Sequence, residues 1–368
     1  MFLNYIIEYP YSAIFYTAIL IFITFLATLE NLVNPKVKKI IVLSIILILS
    51  LCAGFRGETV GRDTQSYMMI IESCRAGYFG AVDQYVERGF VVLIKIILFI
   101  YDNPHFVLFV ISLIINGLII TRVYSLKDKI SFPVAVFSYV ALYYHATYSG
   151  IRQWIAVAVI FFASKYLFKG KYVIFMMFVI LSSTIHNSAL VALLYIPLDM
   201  IFWDKTQLKK KKIFYASIIF SPILIYAFYI FLVKVGLIGK YSHLLSDNYK
   251  NYNMGISIFV KIAIILFVII VIKEKDYTFN DRFFNKKVIL IYLIGVLINL
   301  SGYFYKNIFR IGWYFIIYEI IFFSMLFKTK KTNFILKCLV ILMSLYLFYR
   351  GIAGADVSQM PYVPFWLN

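Results

Sequence analysis

The sequence predicts an all-α, polytopic membrane protein: a bundle of about twelve spanning helices with outward-facing loops forming a cavity. Three observations carry that expectation. Hydrophobic residues make up 63% of the 368 residues and charged residues only 14%, against roughly half and a quarter in soluble domains. The remaining charge is gathered in short runs between long apolar segments, as lipid requires of a chain that must satisfy its own backbone hydrogen bonds. The least apolar stretches, residues 55–88 and 234–254, are too short to build an independent soluble core. Residues 1–368 therefore read as a single integral membrane domain.

Apolar windows of about 20 residues begin near Tyr11, Ile40, Phe106, Phe132, Ile151, Tyr172, Asn187, Ile213, Ile256, Val288, Ile308 and Phe334. Six connections between them are Lys-rich: Lys36 to Lys39, Arg122 to Lys129, Lys165 to Lys171, Lys205 to Lys212, Lys273 to Lys287, and Lys328 to Lys337. The positive-inside rule puts all six in the cytoplasm. The alternation then closes if the short apolar run 89–101 does not cross. Lys95 stands at its centre and Asp102-Asn103-Pro104 ends it, so it reads as an interfacial or re-entrant helix. Both termini then lie outside. The net charge of +19 is explained by this topology, without nucleic acid as a partner. The first apolar segment lacks a basic n-region and a small-residue cleavage site, and so reads as a retained helix. Cys52, Cys74 and Cys338 show no metal-ligand spacing. Cys52 and Cys338 lie in apolar segments and read as small core residues.

On this topology the mixed-sign chemistry collects on the outer side. Residues 55–67 read Phe-Arg-Gly-Glu-Thr-Val-Gly-Arg-Asp-Thr-Gln-Ser-Tyr. Charges at a membrane boundary are costly unless solvated, paired or bound to something charged, so this glycine-jointed cluster looks like a site. The loop continues through Asp83 to Glu87 and Arg88. Asp63 and Tyr67 would share a helix face if the chain turns helical after Gly61. Asp63 or Glu87 could act as a general base, or could simply pair with Arg56, Arg62 or Arg88 to fold the loop. Arg152, beside Gln153, and Arg310, near Tyr314, each stand within a turn of the start of an apolar helix. Either Arg could snorkel to head groups, or could offer its planar fork to phosphate oxygens. His186 and His145 sit at outer turns, where a structural role and a proton-transfer role both remain open. There is no His-Glu-x-x-His, Gly-x-Ser-x-Gly or Walker loop. The only Glu-x-Asp pair, Glu274-Lys275-Asp276, falls in a cytoplasmic Lys-rich loop, which argues against metal chemistry on the outer side.

Phe55-Arg56-Gly57, Val60-Gly61-x-Asp63-Thr64-x-x-Tyr67 and Glu87-x-Gly89-Phe90 resemble the first outer-loop signature of the EpsG-like, Wzy-type polysaccharide polymerases. Gly150-Ile-Arg-Gln-Trp-Ile-Ala-Val-Ala, Ala163-Ser-Lys-Tyr-Leu and Ile185-His186-Asn187-Ser188-Ala189 are similar to the family's central signature. Arg310 with Tyr314 matches a later Arg-bearing helix, and Pro361-Tyr362 the C-terminal Pro-Tyr. The Arg-x10-Gly pattern of some Wzy-type polymerases is not kept, because Ala163 stands eleven positions after Arg152.

The resemblance implies a GT-C-like membrane enzyme that polymerises undecaprenyl-diphosphate-linked repeat units on the outer face of a bacterial cytoplasmic membrane. It implies no metal and no cofactor, with Asp63, Glu87 and His186 as candidate bases. Arg56, Arg62, Tyr67, Arg152, Gln153, Arg310 and Tyr314 become the candidate substrate contacts. Its partners would be the lipid-linked glycan, membrane lipid and a chain-length regulator protein. A ligase using the same carrier is the nearest alternative. A flippase or transporter would favour charges near the bilayer midplane, where only Lys95, Lys234, Lys261 and Glu319 are candidates.

Overall fold

Every regular element of the computed structural model is helical among the described residues, apart from one antiparallel bridge between Arg56 and Pro364. Those residues are 2–78, 86–203, 282–301, 308–328, 334–353 and 359–367, with 227, 230, 231, 234, 235 and 263. Asp83, His243, Lys261, most of loop 234–254 and most of the windows from Ile213 and Ile256 lie outside them.

Among the described residues, four helices are long and apolar enough to cross a membrane. They are α2 (Pro10–Leu29) with the 3₁₀ turn after it, α3 (Pro35–Gly54), α6 (Pro104–Tyr124) and α15 (Phe334–Ile352), following α1 (Phe2–Glu8) at the start of the chain. Proline opens α2, α3 and α6, a position where its missing N–H costs no helical hydrogen bond. Asn34 and Asn103 accept the amides of Val37 and Phe106, each at 3.1 Å, and so cap α3 and α6.

Three of the expected windows are interrupted. The window from Phe132 is helical only as α7 (Phe132–Tyr139), then widens into a π turn over Val140–Tyr144 and a 3₁₀ turn over His145–Tyr148. Tyr139 and Tyr144 would point about 140° apart round an α-helix. With i→i+5 bonding they come nearer to line, and both reach the α3–α6 layer: Tyr139 donates to Asn116 Oδ1 (2.7 Å) and Tyr144 to the Leu49 carbonyl (2.7 Å). The window from Asn187 starts as a 3₁₀ turn and becomes α10 (Tyr195–Trp203) only at its end. Pro197 has no N–H for the Leu193 carbonyl and crowds it. The window from Ile308 divides at Gly312 and again at 317–318 into α12 (Ile308–Ile311), α13 (Trp313–Ile316) and α14 (Glu319–Lys328).

The chain forms two compact units, one of residues 1–162 with 323–368, the other of residues 163–322. In the first, α3 lies along α6. A Cβ on Gly54 would overlap the Phe109 backbone, so only glycine permits this approach. Phe55 and Phe109 stack at 5.5 Å beside it, and Asn116 donates to Ser50 Oγ at 3.2 Å, the kind of interhelical polar bond apolar surroundings favour. Two shorter helices, α4 (Thr64–Arg75) and α5 (Arg88–Ile100), stand between α3 and α6 in the chain. The 13 residues of α5 rise about 20 Å, short of the roughly 30 Å hydrocarbon core.

In the second unit α9 (Tyr172–Ile185) returns on the 187–194 turn, and α10 meets α11 (Arg282–Ser301). Lys287 and Asp199 form an ion pair at 2.5 Å with both side chains buried, and Tyr172 donates to the same carboxylate at 3.1 Å. Nearby on the chain, Tyr292 donates to Glu319 at 2.7 Å. A buried carboxylate held in this way keeps its charge compensated. The chain passes between the units inside α8 (Ile151–Leu167) and again inside α14.

Candidate active site

Segment 55–67 turns inward. Arg56 is only 1% exposed. Its Nε donates to the Val60 carbonyl (3.1 Å) and Thr64 Oγ1 (3.2 Å), one terminal nitrogen to the Ala53 carbonyl, and the other to the Tyr148 carbonyl (3.1 Å). The guanidinium also lies 4.8 Å from the Tyr148 ring centre, a cation–π distance. No carboxylate of the described residues takes part. The expectation that Arg56 contacts substrate therefore meets a side chain whose donors are occupied by protein. Gly61 adopts φ +93°, and a Cβ there would stand 2.8 Å from Thr64 Oγ1 and 3.1 Å from Tyr148. Backbone of that kind, pressed on a neighbour, suits glycine alone.

Residues 359–367 cross this loop and close it. Gly57 N–H donates to the Val363 carbonyl (2.7 Å) and Phe365 N–H to the Phe55 carbonyl (3.0 Å). Tyr362 donates its hydroxyl to the Cys52 carbonyl (2.8 Å) and its amide to Ser12 Oγ (2.9 Å), and stacks on Phe15 at 4.1 Å. Gln359 is tied at both ends, its carbonyl to Tyr16 OH (2.9 Å) and its side-chain amide to the His145 carbonyl (3.1 Å). His105 stacks on Phe365 at 4.1 Å. His145 is buried, and a Cβ on Gly351 would overlap its ring, so it packs as core and not as a free turn residue.

A second charged group lies where the loop meets α8. The chain does turn helical after Gly61, and Asp63 is the first residue outside α4, its carbonyl accepting Tyr67 N–H at 3.0 Å. Its carboxylate does not pair with Arg56. Oδ2 instead accepts the Gly150 amide at 2.9 Å. Two residues later, Arg152 makes an ion pair with Glu87, the side chains 18% and 4% exposed. Tyr67 is buried, meets Phe90 edge-on at 6.0 Å, and stands next to Arg152. Burial pushes its phenol pKa up and the Arg152 charge partly opposes this. Gln153 is buried, and Arg62 is exposed on the same loop. Glu87 thus comes from just before α5, Tyr67 from α4 and Arg152 from α8, with Asp63 bracing the start of α8.

Arg75, at the end of α4, donates to both oxygens of Asp102 (2.8 and 3.1 Å). The pair is exposed and also has Glu72 within 3.6 Å of the guanidinium; Asp102 and Glu72 push the Arg75 pKa up.

His186, Arg310 and Tyr314 belong to the second unit. His186 ends α9, its amide bonded to the Ser182 carbonyl at 2.9 Å. Tyr314 is buried, with its hydroxyl 3.1 Å from Ser188 Oγ and its carbonyl accepting the Tyr195 hydroxyl. Tyr314 therefore fastens the turn after His186. Arg310 is exposed on α12.

Sequence reasoning missed Tyr148, Thr64 and Gly150 as partners. Their contributions are a carbonyl, a hydroxyl and an amide, none of which marks a residue type as functional. Gly150 at φ +64° left only its glycine as a sign.

Long apolar helices joined to a loop-borne cluster of Arg, Glu, Asp and Tyr define a membrane-embedded protein with a polar site built from its connections. The family model of the EpsG family matches residues 39–365, most of the chain. The protein belongs to the EpsG family, of EpsG-like polysaccharide polymerases, which suggests a glycosyltransferase-type polymerase function. No curated protein and no solved structure compared with the chain matches it.

Proposed function

We propose that the protein joins undecaprenyl-diphosphate-linked oligosaccharide repeat units into a polysaccharide, at the outer face of a bacterial cytoplasmic membrane. In this reading it is a GT-C-like bundle of about twelve spans, with α5 lying in the interface. The observation that carries the proposal is the half-buried Arg152–Glu87 pair beside Tyr67, supported by family membership.

The hydroxyl oxygen of the acceptor sugar bonds to the reducing-end anomeric carbon of the growing chain. The bond from that carbon to the diphosphate oxygen breaks, and undecaprenyl diphosphate leaves with the electron pair. The hydroxyl proton goes to a general base. The leaving group is an anion, and a planar guanidinium pairs with phosphate oxygens through two hydrogen bonds. Arg152 is assigned that contact, with Tyr67 and Gln153 shaping its surroundings and Arg62 on the loop as a further cation. When diphosphate draws on Arg152, Glu87 loses its counter-charge and becomes the proton acceptor. Arg56 is assigned to the scaffold, because its donors face protein carbonyls. In the second unit Arg310 is proposed as a phosphate contact, and His186 as the alternative acceptor of the proton. The reaction is written without metal or cofactor.

The test is Arg152→Ala in a host lacking its own polymerase, with protein amount measured alongside. Glycans held at one repeat unit are expected; an unchanged chain-length distribution at normal protein level overturns the assignment. Reconstitution with purified lipid-linked repeat units and EDTA checks the metal-free scheme, which fails if polymerisation stops and a divalent metal restores it.

A further inference from the structure

Asp63 occupies an unusual position for a carboxylate at a helix start. A residue just before a helix normally turns its side chain back onto the amides of its own first turn. Asp63 makes no such bond to α4; Oδ2 reaches across 87 positions to the Gly150 amide, 2.9 Å away. Gly150 in turn accepts Trp154 N–H at 3.1 Å, the first hydrogen bond of α8. The carboxylate thus sits at the N-terminal end of α8, where the aligned peptide dipoles favour negative charge. Tyr67 follows Asp63 by one turn on α4, and Arg152 follows Gly150 by two residues. This hydrogen bond ties the start of the helix that carries Tyr67 to the start of the helix that carries Arg152.

We propose that Asp63 is a positioning residue and not the base: it holds α8 so that Arg152 faces Glu87 and Tyr67. This rests on the polymerase reading, with Arg152 as the diphosphate contact. The role needs an oxygen acceptor at this place and does not need a group that takes up a proton. Asparagine supplies the acceptor and cannot serve as a base near neutral pH. A misplacement of the order of 1 Å at a binding group can cost a large factor in rate, so the geometry has kinetic weight.

The experiment compares wild type, Asp63→Asn and Asp63→Ala in the same reconstituted membranes, with rates per amount of folded protein and kcat/KM followed against pH. Asp63→Asn is expected to stay within about threefold of wild type and to keep the acid limb of the profile, since Asn and Asp are equivalent acceptors at helix starts. Asp63→Ala is expected to lose about tenfold or more, mainly as a raised KM for the lipid-linked substrate, because the lost alignment acts through Arg152 binding. A fall of Asp63→Asn to the level of Asp63→Ala, or loss of its acid limb, overturns the proposal and makes Asp63 the base. The polymerase reading fails separately: in that case the wild-type protein itself does not lengthen the glycan.

Discussion

Two arginines about one hundred positions apart in the same unit use their charge in opposite ways. Arg56 is enclosed, and its guanidinium is satisfied by the carbonyls of Ala53, Val60 and Tyr148 with the Thr64 hydroxyl. Arg152 is partly exposed and pairs with the Glu87 carboxylate, with Tyr67 beside it. Backbone carbonyls cannot be titrated or drawn away by a ligand, so the first arrangement is permanent. A carboxylate can give way to another anion at the same guanidinium, so the second arrangement is exchangeable, as the proposed diphosphate contact requires. Burial and partner type, more than the presence of Arg, separate structure from chemistry here.

The largest effect expected from breaking this contrast is at Arg56. Arg56→Ala strands the Ala53 and Tyr148 carbonyls at about 1–3 kcal/mol each, leaving Val60 only the Thr64 hydroxyl, and the protein is expected not to accumulate, as read by its amount in detergent extracts. Arg56→Lys should fare little better, since one ammonium cannot replace the planar fork. Normal accumulation of the Ala variant, with unchanged thermal unfolding, would show that the Arg56 cluster is dispensable.

At the other arginine stability and activity should come apart. Arg152→Gln alone takes a counter-charge from the buried Glu87 carboxylate, at up to about 3 kcal/mol. Adding Glu87→Gln removes that charge, and the pair of changes is expected to recover most of the lost thermal stability while polymerisation stays absent. Recovery of both together would make the ion pair purely architectural.

Smaller effects mark the edges of the comparison. Tyr362→Phe removes one hydrogen bond to the Cys52 carbonyl and should lower stability by about 1 kcal/mol, measured as a shift in denaturation midpoint with activity largely kept. Arg75→Ala breaks an exposed pair with Asp102, and exposed pairs of this kind contribute little. Stability and chain length are both expected to stay at wild-type values, and a measurable loss in either would raise the surface pair to a structural role.

The charged loop, its helical turn after Gly61 and the long apolar helices were all legible in the sequence, because hydropathy and charge are properties of residue types. Every protein partner weighed for Asp63 was a charged side chain, whereas its actual partner is a backbone amide, which every residue but proline carries. Glu87 and Arg152 were each visible as candidates, but their pairing over 65 positions depends on how α5 and α8 pack. Pro197 and Gly312 stood in plain view inside windows read as continuous spans; local backbone chemistry outweighed hydropathy at both. The π turn at 140–144 had no such punctuation, since it answers to hydrogen bonds made by Tyr139 and Tyr144 to other helices.

The segment that closes the Arg56 loop has a consequence for biosynthesis. Tyr362 and Ser12 are 350 positions apart, so the loop emerges from the ribosome long before the strip that covers it. At ordinary elongation rates the gap is roughly 15–60 s, during which the amide of Gly57 and the carbonyl of Phe55 lack their final partners. A chain stopped short of residue 359 would keep that backbone open indefinitely, giving proteases and chaperones a mark by which to tell interrupted chains from those translated through the closing strip.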